Sequence, residues 1–138
     1  LSVLLLAGKT PEQDGAVYQH EIYRLKLSRF PVVVLAACDS ASLSGNPGEG
    51  LSSLAHAFLS AGASAVIGTL WPVKDDTTAK LMFHLHEGLQ CGLSPERALR
   101  QAQTQYLGDE RLRQEDPWGW AAFQVIGASH SPKEVPDA

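Results

Sequence analysis

Apolar residues along the chain fall into two patterns. Residues 3–7, 31–38 and 65–70 form runs without alternation, the second of them β-branched at its start, and core strands are expected over 3–7, 32–37 and 65–70. Unbroken runs of this length fit strands covered on both faces by helices. Helical spacing lies between them. Leu51, Leu54, Ala55, Phe58 and Gly62 fall on one face of a helix predicted over residues 51–61 and ending near Gly62. Residues 75–90 place Ala79, Met82, Phe83, His86 and Leu89 on one side, with Asp75 or Asp76 as N-cap. Ser94, Pro95 and Glu96 stand in the preferred order of cap, first-turn proline and early acid, and open a helix with Ala98, Leu99, Ala102 and Tyr106 inward.

Residues 17–27 read as a shorter helix, and residues 118–127 as an aromatic turn feeding a last strand. Loops are expected over 9–15, 40–50 and 108–117, and a disordered tail after Gly127. Strand and helix in alternation define an α/β sheet with crossover connections. The three core strands are expected to be neighbours and mostly parallel, with the helix of residues 51–61 crossing one face.

Composition narrows the class. The 138 residues make one compact unit the default. With 44% hydrophobic and 19% charged residues, disorder throughout is excluded. The net charge of −4 (11 basic minus 15 acidic residues) supplies neither a basic field for nucleic acid nor a polybasic membrane anchor, and no apolar run is long enough for a membrane span. Two cysteines make no disulfide framework, so a reducing, cytoplasmic setting is expected. The chain opens on an apolar run without an initiating Met, which suggests a piece cut from something longer.

In open α/β sheets, reacting groups gather where loops leave the carboxyl ends of strands. Cys38 ends the second predicted strand, followed by Asp39, Ser40 and a small polar loop. A thiolate there is a ready nucleophile; the alternative is the last buried small hydrophobe of a strand. Cys91 follows a helix with no acid or base beside it. A nucleophilic cysteine needs a base. His84 and His86 lie two positions apart on one helix and cannot share a metal, His56 is off the apolar face of its helix, and His130 is in the tail. His20 alone stays open as a base. Asp75 lies past the third strand, at the edge of the sheet expected for Cys38. It either caps the next helix or receives a cationic substrate side chain. Asp109 and Glu110 read as part of a solvated loop with Arg111 and Arg113. The stretch Gly48, Glu49, Gly50 lacks the lysine and spacing of a phosphate loop. A nucleotide-binding domain would need a phosphate-cradling loop that this stretch does not supply, and neither metal nor cofactor is expected.

Five ordered blocks resemble the C-terminal half of a CHAT domain: residues 33–41 around Cys38, 48–51, 57–63, 70–73 with Asp75, and 120–123 with Ile126 and Gly127. That family comprises caspase-like cysteine proteases, often fused to tetratricopeptide repeats, and is similar to separase and more distantly to caspases. The resemblance implies a partial caspase-like domain over residues 1–127, with a mostly parallel sheet flanked by helices, and a tail over 128–138. It implies that Cys38 is the nucleophile and that its backbone N–H donates to the oxyanion. It also implies that Asp75 lines a pocket for a basic residue before the cut bond, with Asp39 a second pocket candidate.

The family's catalytic histidine stands in a His-Gly pair upstream of the segment matched by residues 1–8, and no histidine here is followed by glycine. The resemblance therefore leaves three alternatives: a companion chain or segment supplies the His-Gly motif, the chain is a truncated piece, or catalysis has been lost and the fold serves as an interaction module. Expected partners are a protein or peptide substrate, the His-Gly segment, and a tetratricopeptide-repeat regulatory region.

Overall fold

The computed structural model describes residues 3–5, 15–35 and 49–127. Elements in chain order are β1 (Val3–Leu5), β2 (Ala16–Tyr18), α1 (Gln19–Ile22), β3 (Val32–Leu35), α2 (Glu49–Ser60), β4 (Ala65–Thr69), α3 (Asp75–Gln90), α4 (Pro95–Gly108), α5 (Glu110–Glu115), a 3-10 turn (Gly119–Ala122) and β5 (Phe123–Gly127). The main sheet has the order β3, β4, β5. β3 and β4 are parallel, with Val32 opposite Ala65 and Leu35 opposite Gly68, whereas β5 runs antiparallel to β4, with Phe123 opposite Thr69 and Gly127 opposite Ala65.

All five residues of β4 are buried, because helices cover both faces of the sheet. Period-two alternation divides its side chains between two cores. Val66, with Val33 and Ile126 beside it, packs on Ile22, Leu51, Leu54, Ala55 and Ala57 of α1 and α2. Ile67, with Val32, Val34 and Val125, packs on Leu81, Leu85, Leu99, Ala102 and Tyr106 of α3 and α4. A strand covered on both faces has no solvent-facing positions, which is why its sequence shows no alternation. The helix of α2 buries Leu51, Leu54 and Ala55 as the spacing predicts, leaves Phe58 half-buried, and gives way to Gly62 at φ +110°.

Several expectations are corrected. β1 pairs antiparallel with β2 in a two-stranded sheet of its own rather than beside β3. An apolar run specifies burial, not which neighbour supplies it, and the local hairpin closes a shorter loop. Residues 17–27 are strand β2, the single helical turn α1 and an irregular segment. Residues 108–117 hold α5, whose N-cap Asp109 accepts from the Leu112 N–H at 3.1 Å. Leu112 is buried, so this stretch is a packed turn of helix rather than a solvated loop.

The buried face of α3 is rotated from the predicted one. Thr77, Thr78, Leu81, Leu85 and Gly88 are inside, Ala79, Phe83 and His86 are exposed, and Met82 and Leu89 lie at the rim. Full burial of a leucine contributes about 1.5–3 kcal/mol, so the orientation that buries both Leu81 and Leu85 outweighs the one that buries Phe83. Gly88 lets α4 approach: a Cβ there would stand 3.0 Å from that of Ala98. A glycine seam carries no hydrophobic signal, so counting apolar residues selects the wrong face.

Candidate functional site

Because β3 and β4 are parallel, their carboxyl ends open on one edge of the sheet. Cys38 and Asp39 lie outside the described residues; in sequence Cys38 follows Leu35, the last residue of β3, by three positions. Asp75 is at the same edge, six residues beyond Thr69, where it is the exposed first residue of α3. Neither it nor Asp76 is the N-cap. Lys74 holds that position with φ −66° and ψ 140°, and makes no side-chain cap hydrogen bond. The acids instead occupy the first turn, where a carboxylate favours the helix dipole by about 0.3–1 kcal/mol.

The first turn of α3 is tied down from the chain segment before β5. The Lys74 ammonium donates to the Glu115 carbonyl at 2.6 Å. The Thr77 hydroxyl, buried, faces two acceptors, the Lys74 carbonyl at 2.8 Å and Asp116 Oδ2 at 3.1 Å. The Asp116 carbonyl accepts from the Tyr106 hydroxyl at 2.7 Å and from the Gly119 N–H at 3.2 Å. Trp120 Nε1 donates to the Pro117 carbonyl at 3.0 Å, and the Leu70 N–H at the end of β4 donates to the Ala122 carbonyl at 2.9 Å. These bonds hold the 115–122 turn against the first turn of α3, which carries Asp75. Gly119 is required for the close approach, since a Cβ would lie 2.6 Å from Asp116 Oδ2 and 2.7 Å from the Tyr106 oxygen. Two indoles flank the edge in the open: Trp71 is 39% and Trp118 70% exposed.

The pattern of apolar positions finds Tyr106 but not its partner. Asp116 before Pro117 reads locally as a turn signal only, and its pairing with Thr77, 39 residues earlier, is a tertiary fact. Burial raises the Tyr106 phenol above its usual 10.0, the neighbouring Asp116 carboxylate adds to the rise, and the Thr77 hydrogen bond offsets part of it. A raised folded-state pKa means that the associated stability is complete below about pH 10 and is lost as pH climbs through the folded value. Tyr106→Phe is therefore expected to cost about 1 kcal/mol at neutral pH by removing the bond to Asp116, and to lessen the loss of stability above pH 10. Urea melts at pH 7 and in the alkaline range check both.

Among the described histidines, three are occupied within their own helices. The His84 ring lies 3.1 Å from the Glu87 carboxylate, His86 Nδ1 lies 2.7 Å from the Met82 carbonyl, and His56 Nδ1 lies 3.1 Å from the Ser52 carbonyl. His20 is exposed and stacked on Tyr18, with ring centroids 5.7 Å apart. Its neighbour Gln19 donates to the Ser53 carbonyl at 3.3 Å, which sets α1 beside the first turns of α2. His130 is outside the described residues. Cys91 is exposed at the C-cap of α3. No group of three His, Cys, Asp or Glu able to hold a metal occurs among the described residues. Nor is any described helix long and apolar enough to cross a membrane.

A mixed sheet covered by helices on both faces, with the carboxyl ends of its parallel pair at one edge, defines an α/β domain of partial caspase-like architecture. The family model for the CHAT domain matches residues 1–128, and the chain belongs to that family, which is related to caspase-like cysteine peptidases. No curated protein matches the chain.

Proposed function

We propose that this chain is the nucleophile-bearing part of a CHAT-type cysteine endopeptidase, acting in the cytoplasm on a protein or peptide substrate. The reading is carried by the family match over residues 1–128, with Cys38 standing three residues after the last described position of β3. In this proposal the Cys38 thiolate attacks the scissile carbonyl, and its own backbone N–H donates to the oxyanion. A histidine from a segment carrying the His-Gly motif takes the thiol proton and returns it to the leaving amine. Water then hydrolyses the thioester. Asp75, and Asp39 beside the nucleophile, favour a basic P1 residue, and a tetratricopeptide-repeat region is the proposed regulator.

A second reading has one observation in its favour: none of the five histidines precedes a glycine. On that reading the fold is a non-catalytic interaction module. The two separate by complementation. The chain alone is expected to release no fluorophore from an Arg-terminated peptide, because a base must come within about 3 Å of the thiol or reach it through one water. Adding a CHAT segment that carries the His-Gly pair is expected to produce turnover. Continued inactivity with a folded, bound segment favours the interaction module. Turnover by the chain alone rejects the divided dyad and makes His20 the first residue to mutate.

A further inference from the structure

We propose that residues 23–30, at the edge of the sheet opposite the candidate site, dock an acidic peptide segment of a partner protein that carries an aromatic side chain among its carboxylates. The proposal is independent of the proteolytic reading. Arg24, Lys26 and Arg29 are all exposed, and among the described residues none of their side chains has an ion pair or hydrogen bond. No acidic residue occurs between Ile22 and Cys38, although the whole chain carries −4. Glu21, the nearest acid before them, has its carboxylate engaged by the Tyr18 N–H at 2.8 Å. The cations are interleaved with apolar groups that stay in solvent: Tyr23 is 47%, Leu25 45% and Phe30 66% exposed.

This segment is held rather than loose. Ile22 is fully buried against α2, the Leu27 N–H donates to the Ala61 carbonyl at 2.8 Å, and the Ser64 N–H donates to the Pro31 carbonyl at 3.0 Å. Between the last two anchors, Arg29 and Phe30 adopt φ +65° and +46° in succession. A bulky residue in the left-handed region is strained, and strain maintained by firm anchors on both sides is a feature of binding surfaces. Here it presents an aromatic ring and a guanidinium to solvent with no return in burial.

The chemistry of the patch favours a peptide over other polyanions. Three cations in a chain of net negative charge make a local field and not a track along a phosphate backbone, and the apolar groups between them match side chains that a nucleic-acid backbone lacks. A lipid surface requires a polybasic cluster with a second anchor. The amino ends of β3 and β4 lie at the Pro31 end of this segment.

The test uses the full chain and a fluorescein-labelled polyglutamate peptide interrupted by phenylalanine, with fluorescence anisotropy as the readout. Saturable binding is expected, weakened about tenfold or more by the Arg24→Glu/Lys26→Glu double variant and severalfold by Phe30→Gly. Glycine takes the left-handed conformation without strain, so Phe30→Gly is expected to keep its Tm, which separates lost binding from lost folding. The proposal is overturned by absence of saturable binding, by equal binding to both variants, or by tighter binding of polyuridylate or phosphatidylserine vesicles than of the peptide.

Discussion

Cys38→Ala is expected to abolish peptide cleavage by the completed enzyme, meaning this chain joined to a segment bearing the His-Gly pair. Loss of the nucleophile from a hydrolase that works through a covalent acyl intermediate costs on the order of 10⁶-fold in rate, about 8 kcal/mol of transition-state stabilisation. No second thiol takes over, since Cys91 sits exposed at the far end of α3 from Asp75, and Cys91→Ala is expected to leave the rate within about twofold. The competing view of Cys38, a small hydrophobe closing its strand, predicts the reverse pattern. On that view the alanine variant loses stability through a small cavity and retains turnover. Active-site titration with a peptidyl chloromethylketone, followed by measurement of kcat and Tm for wild type, Cys38→Ala and Cys91→Ala, distinguishes them. Turnover that survives in Cys38→Ala rejects the nucleophile assignment.

The second large effect is expected at Asp75. Lys74 and not Asp75 is the N-cap of α3. Exposed at the first helical position, Asp75 contributes at most the modest dipole term, and its replacement by asparagine is expected to cost less than about 1 kcal/mol of stability. In the open chain a salt bridge at such a place is worth little. On the proposed reading a substrate covers the same carboxylate, and a charge-assisted hydrogen bond from a P1 guanidinium is then expected to contribute about 1.5–3 kcal/mol, or about ten- to more than hundredfold in kcat/KM. Asp75→Asn in the completed enzyme is therefore expected to reduce cleavage of Arg and Lys peptides by that factor, leaving Met and Leu peptides and alkylation of Cys38 unchanged. Asp76→Asn serves as the control from the adjacent exposed position. An unchanged preference for arginine in Asp75→Asn, or no such preference in the wild type, removes the pocket role.

The clamp behind Asp75 bears on both outcomes. Thr77, Asp116 and Tyr106 attach the first turn of α3 to the turn before β5. A variant that loosens the clamp is expected to raise KM for basic peptides together with a fall in Tm. An Asp75 variant changes specificity at nearly constant Tm.

Much of this protein follows from the order of its side chains. The unbroken runs at residues 32–35 and 65–69 are strands because β-branched and apolar residues without polar alternation are stable only where both faces are covered. The inward face of α4, Ala98, Leu99, Ala102 and Tyr106, is legible because its apolar residues have helical spacing and most of its other positions are polar. The CHAT family, too, was legible from five short blocks in their order. Tertiary structure decided what spacing leaves degenerate. The buried face of α3 depends on Gly88 meeting Ala98, a contact between residues with almost no hydrophobic signal. The hairpin of β1 and β2 depends on which of several apolar neighbours is nearest along the chain. The Asp116 clamp joins residues 39 positions apart, and the helix of residues 110–115 forms where charged residues suggested a loop because Leu112 finds a core to enter. Local sequence specifies how much each residue gains from burial or from a hydrogen bond; the folded chain alone determines which partner supplies it.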